Sequence, residues 1–366
     1  MNNNSEKTVV VGMSGGVDSS VAALLLKEQG YNVIGVTMQI WQDEDRDVQQ
    51  DNGGCCGLSA VEDARRVAKS VDIPYYVMNF KKEFERDVID YFVEGYQKGE
   101  TPNPCIACNR YVKWESLLDK SMSIGADYIA TGHYAKVEQL PNGRYVLRQS
   151  KTIRKDQTYA LYNLTQDQLS RTLMPVGDFE KEEIRVMAEK INVRIANKPD
   201  SQDICFVPDG DYSGFLETYT GEKPKEGNFI NAEGEVLGRH KGIVNYTIGQ
   251  RKGLGLSLGK PGFVVEIRPE SNEVVIGDNL ETFSFGLKAK DVSFMPFETL
   301  EGEQIFTAKI RYSHKPAACR VKMTSEHEME VWFDDAQRAI TPGQAVVLYD
   351  GDMVVGGGTI VGKLTE

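Results

Sequence analysis

The most informative segment of the sequence is Val9-Val10-Val11-Gly12-Met13-Ser14-Gly15-Gly16-Val17-Asp18-Ser19-Ser20. Its β-branched run predicts a strand, its Ser-Gly-Gly sequence a turn, and the spacing of Val21, Leu24 and Leu25 a helix that follows at once. Such a turn presents unpaired backbone N–H groups at the positive end of a helix dipole, and its glycines let an anion approach closely. The serines add hydroxyl donors, and Asp18 adds a carboxylate suited to a divalent cation. The stretch therefore predicts a phosphate-binding loop.

The loop matches neither of the two commonest nucleotide-binding patterns. No Gly-Lys-Ser or Gly-Lys-Thr follows it, and it lacks the Gly-x-Gly-x-x-Gly of dinucleotide-binding folds. A glycine-rich turn between strand and helix also occurs in α/β proteins that bind no phosphate. The full string Ser-Gly-Gly-Val-Asp-Ser-Ser resembles the pyrophosphate-binding loop of the ATP pyrophosphatase superfamily, whose members cleave ATP between the α and β phosphates and adenylate a substrate oxygen. The resemblance implies the activation chemistry and leaves the substrate open.

Length and composition indicate a multidomain cytoplasmic protein. With 366 residues the chain is long enough for two or three domains. No apolar run reaches the length of a membrane span, and the polar start Met1–Lys7 leads directly into a strand, so no membrane association is expected. In a reducing compartment, clustered cysteines are more often metal ligands or catalytic thiols than disulfides. The six cysteines are Cys55, Cys56, Cys105, Cys108, Cys205 and Cys319.

The net charge of −12 argues against a nucleic-acid partner, but the charge is unevenly distributed. Segments 143–155 and 304–325 contain several basic residues and no acidic one, and the second also contains Phe306, Tyr312 and His314. Such basic stripes suit a phosphate backbone, although a solvated sheet face balanced by neighbouring charges has the same composition. The basic residues are Arg144, Arg148, Lys151, Arg154 and Lys155 in the first segment and Lys309, Arg311, Lys315, Arg320 and Lys322 in the second.

The order of elements predicts an α/β domain followed by β-rich domains. Predicted strands at Tyr31–Met38, Tyr75–Phe80 and Asp127–Tyr134 alternate with helices, as in βαβ units around a parallel sheet. A ligand site is then expected at the carboxyl ends of the strands. Beyond Gly221 the segments are short, β-branched and separated by glycines, which predicts small sheets or a barrel. We therefore expect domains at 1–210, 211–283 and 284–366.

Two helices of the α/β domain are predicted in more detail. A long helix over Lys81–Lys98 follows from helical spacing of apolar residues, and a shorter helical piece is expected around Gln166–Leu173. The residues of the long helix expected to face inward are Phe84, Val88, Tyr91 and Phe92.

Three cysteines are candidates for chemistry. Cys108 follows the rigid segment Thr101-Pro102-Asn103-Pro104 at the expected start of a helix, where the helix dipole would stabilise its thiolate. The pair Cys105-x-x-Cys108 is equally compatible with a redox dithiol, half of a zinc site or two ligands of an iron–sulfur cluster. Cys205 lies in a polar segment, where a buried structural cysteine is the alternative to a functional thiol.

Seven motifs, in this order, closely resemble those of the tRNA-specific 2-thiouridylases. The likeness extends over nearly the whole chain. The motifs are Gly12–Ser20, Thr101-Pro102-Asn103-Pro104 before Cys108-Asn109, Ala130-Thr131-Gly132-His133-Tyr134-Ala135, Lys155-Asp156-Gln157-Thr158-Tyr159, Asp200-Ser201-Gln202-Asp203-Ile204-Cys205-Phe206, Tyr246-Thr247-Ile248-Gly249-Gln250-Arg251 and Arg338-Ala339-Ile340-Thr341-Pro342-Gly343-Gln344.

The resemblance implies a fold and a reaction. The fold is α/β: an N-terminal parallel-sheet domain like that of the adenine nucleotide alpha hydrolases, a small β-rich middle domain and a C-terminal β-barrel. The reaction is ATP-dependent adenylation of the C2 oxygen of the wobble uridine, U34, followed by sulfur transfer. Cys205 would carry a persulfide, and Cys108 would be the second thiol, ending in a disulfide with Cys205. The residues implied to bind ATP, with Mg²⁺, are Gly12, Met13, Ser14, Gly15, Gly16, Val17, Asp18, Ser19, Met38 and Gly132.

The resemblance also implies partners. They are tRNAs with lysine, glutamate and glutamine anticodons and a protein that donates sulfur. The segment Asn103, Pro104 and Cys105 would contact the target base. The other residues implied to contact or lie near the tRNA are His133, Lys155, Asp156, Gln157, Arg311, Tyr312 and Gln344.

One residue departs from the family pattern. Many relatives have Asp where this chain has Cys105, so three cysteines are available here, at positions 105, 108 and 205. Their number suggests the hypothesis of a [4Fe-4S] cluster with one open iron. Cys55 and Cys56 have no role that the sequence assigns.

Two other functions remain open to the sequence. An amidating synthetase of the same superfamily would need neither Cys108 nor Cys205. A metal-binding RNA regulator without turnover would form no AMP or pyrophosphate.

Overall fold

The computed structural model describes residues 4–40, 58–191 and 204–364, which form two compact units. None of the helices in these three ranges combines the length and apolar character needed to cross a bilayer. The first unit draws on Met1–Val88, Cys105–Gly210 and Asp352–Val354, and the second on Ile89–Pro104, Asp211–Gly351 and Val355–Glu366.

A five-stranded parallel sheet forms the centre of the first unit. Its strands are β1 (Thr8–Gly12), β2 (Asn32–Gln39), β3 (Tyr75–Asn79), β4 (Tyr128–Ala130) and β7 (Thr172–Leu173), in the order β3-β2-β1-β4-β7. Val9, Val10 and Val11 of β1 are completely buried because β1 lies between two parallel strands and is covered on both faces. The uninterrupted valine run therefore encodes the central strand.

Helices cover this sheet. Val17, Val21 and Leu26 are buried on α1, which packs against α2 and α8. The helices of the first unit are α1 (Val17–Glu28), α2 (Leu58–Val71), α3 (Lys81–Phe84), α5 (Pro104–Ala107), α6 (Leu118–Ser123), α7 (Gln166–Ser170) and α8 (Lys181–Ile191). A hairpin of β5 (Ala135–Gln139) and β6 (Tyr145–Gln149) follows β4.

The long predicted helix contains a π-helical turn. α3 continues through the π-helical segment Glu85–Ile89 into α4 (Asp90–Gln97). A π turn contains more residues than an α turn, so the inward face shifts along the sequence. Phe84, Val88 and Phe92 are buried as predicted, but Tyr91 is 38% exposed, so its predicted inward position was wrong.

The predicted helix over Gln166–Leu173 ends early. α7 stops at Ser170, and Thr172–Leu173 forms β7, pairing in parallel with Ile129 and Ala130 of β4. A capping box at Thr165 fixes the start of α7. Two residues carry too little periodicity to signal a strand, and here sheet pairing overrides helical spacing.

The second unit contains a four-stranded sheet. Phe229, Val264 and Val274 form its buried side. The strands are β8 (Gly227–Ile230), β9 (Val236–His240), β10 (Phe263–Arg268) and β11 (Glu273–Gly277), in the order β10-β11-β8-β9. Helices α4 and α9 (Tyr212–Thr220) also belong to this unit, where Phe92 contacts Tyr212 and Phe215.

The remaining strands of the second unit close into a barrel. The strands are β12 (Phe283–Phe294), β13 (Glu303–Lys309), β14 (Ala317–Met323), β15 (Glu328–Arg338), β16 (Ala345–Asp350) and β17 (Met353–Lys363). They pair in the order β12-β15-β14-β13-β16-β17, and β12 pairs back with β17. A Cβ at Gly356 would lie 2.1 Å from the carbonyl oxygen of Ser293, so closure requires glycine there. The predicted α/β fold with a β-rich middle and a C-terminal barrel is confirmed.

Candidate functional site

The candidate site of the first unit lies where the strand order reverses. β1 and β4 are adjacent parallel strands whose connections leave in opposite directions, and ligands of α/β sheets bind in the crevice at such a switch point. β1 ends at Gly12 and β4 at Ala130, so the phosphate-binding loop and Thr131–Tyr134 both begin at this edge. The sheet order thus brings together two motifs that are far apart in sequence.

The phosphate-binding loop depends on glycine. Gly15 has φ +66°, and a Cβ there would lie 2.3 Å from the carbonyl oxygen of Ala60. Gly16 is the N-cap of α1 and supplies no side-chain cap, which leaves the first N–H groups of the helix to other acceptors. Ser14 and Ser19 direct their hydroxyls toward each other at 3.3 Å. The result is a turn of N–H and O–H donors at a helix N-terminus.

Met13 connects this loop to β2. Its N–H donates to the carbonyl of Val36 at 2.8 Å, and its carbonyl accepts from Thr37 Oγ1 at 2.7 Å. A Cβ at Gly35 would lie 2.6 Å from Met13 Sδ. Met38, which is also predicted to bind ATP, lies in β2 directly after Thr37 and is partly buried.

Gly132 lies directly against the phosphate-binding loop. A Cβ at Gly132 would lie 2.5 Å from the backbone nitrogen of Ser19 and 2.6 Å from the carbonyl carbon of Asp18. No side chain larger than hydrogen fits there without moving α1. The structure therefore brings two predicted ATP residues, Gly132 and Ser19, into contact.

Asp18 is bound by two side chains that the sequence did not single out. Lys181 Nζ lies 2.7 Å and 2.9 Å from its two carboxylate oxygens, and Tyr134 Oη donates to Oδ1 at 2.7 Å. Lys181 begins α8 and is buried on the same face as Ile184 and Ala188. A lysine on the apolar face of a helix was the signal that could have identified it.

His133 is held neutral beside this loop. Burial, with a smaller contribution from Lys113, holds the pKa of His133 well below its ordinary value of 6.5. Its Nδ1 lies 2.8 Å from Thr131 Oγ1, and its ring packs 5.4 Å from that of Trp114. The imidazole is thus fixed in place and uncharged at neutral pH.

Gln157 of the Lys155-Asp156-Gln157 motif bonds to the loop after β4. Gln157 Oε1 accepts from the N–H of Tyr134 at 2.9 Å, and the Gln157 N–H donates to the carbonyl of Tyr134 at 2.9 Å. Asp156 is buried and accepts from the N–H of Ser150 and the hydroxyl of Thr158. The structure gives both residues contacts inside the chain, and their contact with tRNA stays a prediction.

The second basic segment borders a cavity in the second unit. Arg311, His314 and Lys315 line a cavity of about 540 Å³. Arg311 Nη1 donates to the carbonyl of Arg338 at 3.1 Å, and Tyr312 is 45% exposed beside Lys309.

In the first basic segment, Arg148 pairs with Glu138 and Lys151 with Glu183, so part of that charge is balanced locally.

Comparison with known proteins gives full-length relatives. Three family models match in succession: the tRNA methyl transferase HUP domain at residues 7–209, the tRNA methyl transferase PRC-barrel domain at 213–278 and the aminomethyltransferase beta-barrel domain at 284–360. The tRNA-specific 2-thiouridylase MnmA of Lachnoclostridium phytofermentans is 66% identical over 97% of this chain and 99% of its own. That of Clostridium kluyveri is 58% identical over 97% and 99%. The chain belongs to the tRNA-specific 2-thiouridylase family.

The predicted membership in the 2-thiouridylase family, and with it the predicted class of enzyme, is confirmed by relatives that match over 97% of the chain. Among solved structures, the U34-tRNA thiolase NcsA from Methanococcus maripaludis with its [4Fe-4S] cluster is 18% identical, covering 60% of this chain and 68% of its own with a TM-score of 0.34. At that score the likeness carries no argument about function.

The three candidate cysteines differ in exposure. Cys105 and Cys205 are exposed, and Cys108 is partly buried. The helix begins at Pro104, so Cys105 occupies its first turn and Cys108 begins the π-helical segment Cys108–Leu117. Because the dipole effect fades after the first turn, it acts on Cys105 more than on Cys108, contrary to the prediction.

Cys205 is presented by an anchored turn. Phe206 and Val207 are buried, and the Phe206 ring packs edge-on against Phe84 at 5.8 Å. The Val207 N–H donates to the carbonyl of Ile204 at 2.9 Å. The predicted motif residues Asp200–Asp203, like Cys55 and Cys56, lie outside the described residues.

The iron–sulfur hypothesis stays a prediction, because each cysteine of a [4Fe-4S] cluster binds a different iron and the three need not share one ion. Within ranges 4–40, 58–191 and 204–364, no three His, Cys, Asp or Glu side chains come close enough to share a metal ion. Cys105, Cys108 and Cys205 all lie within those ranges. Cys319 is buried in the barrel, where burial raises the pKa of its thiol to about 12, so it is a structural cysteine.

Proposed function

We propose that this chain catalyses the ATP-dependent 2-thiolation of U34 in tRNA, forming 2-thiouridine, AMP and pyrophosphate. The observation that carries the proposal is 66% identity to a tRNA-specific 2-thiouridylase over 97% of the chain. The contact of Gly132 with the Asp18–Ser19 turn at the sheet switch point supports it, because ATP activation needs such a phosphate site.

In the first step the C2 oxygen of U34 attacks the α-phosphate of ATP, and pyrophosphate leaves. The N–H groups of Gly12–Ser19 hold the departing pyrophosphate, and Met38 and Gly132 border the nucleotide. Asp18 and the serine hydroxyls offer the oxygen ligands that Mg²⁺ prefers, and the ion would neutralise charge on the pyrophosphate. Lys181 fixes the Asp18 carboxylate and adds a positive charge at the same point.

In the second step sulfur replaces the activated oxygen. The terminal sulfur of a Cys205 persulfide attacks C2, the C2–O bond breaks and AMP leaves. The Cys108 thiolate then attacks Cys205 Sγ, which breaks the S–S bond, leaves the sulfur on C2 and forms a Cys108–Cys205 disulfide. A thiol reductant restores both cysteines, and a sulfur-donor protein reloads Cys205.

The tRNA contacts follow from the same proposal. U34 must leave the anticodon stack to react, as in other base-modifying enzymes. We assign the base contact to Asn103, Pro104 and Cys105, with tRNAs for lysine, glutamate and glutamine as substrates. The other proposed tRNA contacts are Lys155, Asp156, Gln157, Arg311 and Tyr312, and we place His133 and Gln344 near the tRNA. We also retain the domain limits 1–210, 211–283 and 284–366 and a cytoplasmic location.

Mass analysis of wobble nucleosides tests this function. Purified protein, unmodified tRNA, ATP and a persulfide donor should give 2-thiouridine at position 34 together with AMP. Cys205→Ala and Cys108→Ala should each abolish 2-thiouridine, whereas Cys319→Ala, checked for folding by its thermal midpoint, should retain it. Ammonia-dependent product in the Cys108→Ala, Cys205→Ala double variant would indicate an amidating synthetase, and absence of AMP would indicate a regulator without turnover.

A further inference from the structure

Thr101, at the start of the proposed base-contacting segment, is held at three atoms. Its N–H donates to the carbonyl of Pro342 at 2.8 Å, and its carbonyl accepts from Gln344 Nε2 at 2.7 Å. Its hydroxyl lies 3.4 Å from that of Thr247. The barrel residues Pro342 and Gln344 thus satisfy both backbone groups of Thr101. We call these three contacts the Thr101 anchor.

Glycines allow the chain to pass through a narrow space at this point. A Cβ at Gly95 of α4 would lie 2.7 Å from Pro102 Cγ. Gly343 has φ +86°, and a Cβ there would lie 3.0 Å from the Thr101 nitrogen and 3.0 Å from Glu100 Cβ. The segment therefore packs closely against α4 on one side and the 338–344 loop on the other.

The 338–344 loop is itself fixed. Arg338 Nη2 donates to the carbonyl of Gly249 at 2.9 Å, and the N–H of Ala339 donates to the carbonyl of Thr282 at 2.8 Å. Ala339 has φ +57°, a conformation that a non-glycine residue keeps only when its surroundings enforce it. Next to Gln344, Gly343 donates to the carbonyl of Ile360, and Ile360 donates back to the Gln344 carbonyl. The backbone that carries Gln344 is therefore held rigidly.

We propose that Gln344 is a positioning residue that sets the base-contacting segment, rather than a direct tRNA contact. Its side-chain N–H₂ is directed to the Thr101 carbonyl, two residues before Asn103. A displacement of about 1 Å in a group that orients the substrate can cost on the order of 100-fold in rate. The proposal rests on the proposed function only in that Asn103, Pro104 and Cys105 contact U34.

Hydrogen exchange without tRNA tests the Thr101 anchor by itself. Gln344→Ala removes the hydrogen bond to the Thr101 carbonyl, so the segment should open more often and expose the Thr101 amide. The exchange rate of that amide should rise about fivefold, the size expected when one net hydrogen bond is lost. Gln304→Ala is the matched control, because Gln304 is an exposed glutamine of the same barrel whose side chain donates to the nearby carbonyl of Glu301. An unchanged Thr101 exchange rate in Gln344→Ala would overturn the proposal.

Kinetics separate positioning from direct contact. Gln344→Ala should lower kcat for thiolation about tenfold, equivalent to ~1.4 kcal/mol, and leave the Kd for tRNA within about twofold. A weaker Kd with unchanged kcat would overturn the proposal, because that is the result of a direct tRNA contact. If Gln344→Ala does not fold, Gln344→Glu, which has the same size and lacks the donor, decides by the same two readouts. If wild-type protein forms no 2-thiouridine while Gln344→Ala still raises Thr101 exchange, the proposed function fails and the anchor stands.

Discussion

Lys181 Nζ bonds both carboxylate oxygens of Asp18, at 2.7 Å and 2.9 Å, with only 8% of the lysine side chain exposed. The pair joins the start of α8 to the first turn of α1 at the switch point of the sheet. Tyr134 completes the contact from the loop after β4, with its hydroxyl on Asp18 and its ring 5.4 Å from Lys181 Nζ. Three segments of the first unit therefore meet at one carboxylate.

Lys181→Ala should strongly reduce adenylation and lower stability. Removing one partner of a buried ion pair costs about 3–5 kcal/mol, and the 29% exposure of the Asp18 side chain reduces that cost. We expect AMP formation to fall at least about 100-fold, since the phosphate loop loses both a fixed carboxylate and a cation. Lys190→Ala, an exposed lysine in the last turn of the same helix, is the control and should keep wild-type AMP formation. Normal AMP formation by Lys181→Ala would contradict the assigned role.

Gly132→Ala should weaken ATP binding while the protein stays folded. The added Cβ would lie 2.5 Å from the Ser19 nitrogen, so the phosphate loop must move. Such overpacking costs about 1–3 kcal/mol, and we expect the Kd for ATP, measured by calorimetry, to rise at least about tenfold. Gly362→Ala, at a position with open space around it, should leave the Kd unchanged. Equal Kd values for the two variants would show that Gly132 does not border the nucleotide site.

His133→Asn should reduce the loss of stability in mild acid. The pKa of His133 is lowered in the folded protein, so the unfolded chain binds the proton first as pH falls. The stabilisation is complete above the unfolded value of about 6.5 and is lost below it. The drop in thermal midpoint between about pH 7.5 and about pH 5.5 should therefore be smaller in His133→Asn than in wild type.

The acid effect needs its own control. His240 and His314 also have lowered pKa values, and they remain in both proteins, so the difference isolates His133. His327→Asn, which replaces an exposed histidine, should show the wild-type drop. If His133→Asn shows the same drop as wild type, His133 is not held neutral in the folded protein.

Arg311→Ala should weaken tRNA binding in a salt-dependent way. A residue that neutralises one phosphate contributes about 1 to the slope of log Kd against log salt. We expect that slope to fall by about 1 in Arg311→Ala and to stay unchanged in Arg239→Ala, a paired surface arginine of β9. Filter binding at several salt concentrations gives both slopes. An unchanged slope in Arg311→Ala would remove Arg311 from the tRNA surface.

Where a signal was local and repeated, the sequence predicted the fold well. The valine run of β1, the Ser-Gly-Gly turn and the helix that follows it all appear where local pattern placed them. The two-residue strand Thr172–Leu173 was missed because its only cause is pairing with β4. In β17, Gly356 and Gly358 weaken the strand pattern, although both are needed for close approach to β12.

The candidate site also contains residues that the sequence could link in advance and contacts that depend on tertiary packing. Gly132 and Asp18 could be linked in advance because a family resemblance joined their motifs, but no local pattern brings Lys181 to Asp18 from 163 residues away. The Thr101 anchor likewise joins residues 243 positions apart, Thr101 and Gln344. Such contacts follow from tertiary packing, which sequence periodicity does not encode.

The proposed reaction transfers the C2 oxygen of U34 to AMP. The most direct measurement uses tRNA carrying ¹⁸O at C2 of U34, incubated with the protein, ATP and a persulfide donor, followed by mass spectrometry of AMP. We expect one ¹⁸O in the phosphate of each AMP formed, matched by one 2-thiouridine. AMP without ¹⁸O, formed alongside 2-thiouridine, would contradict adenylation of that oxygen.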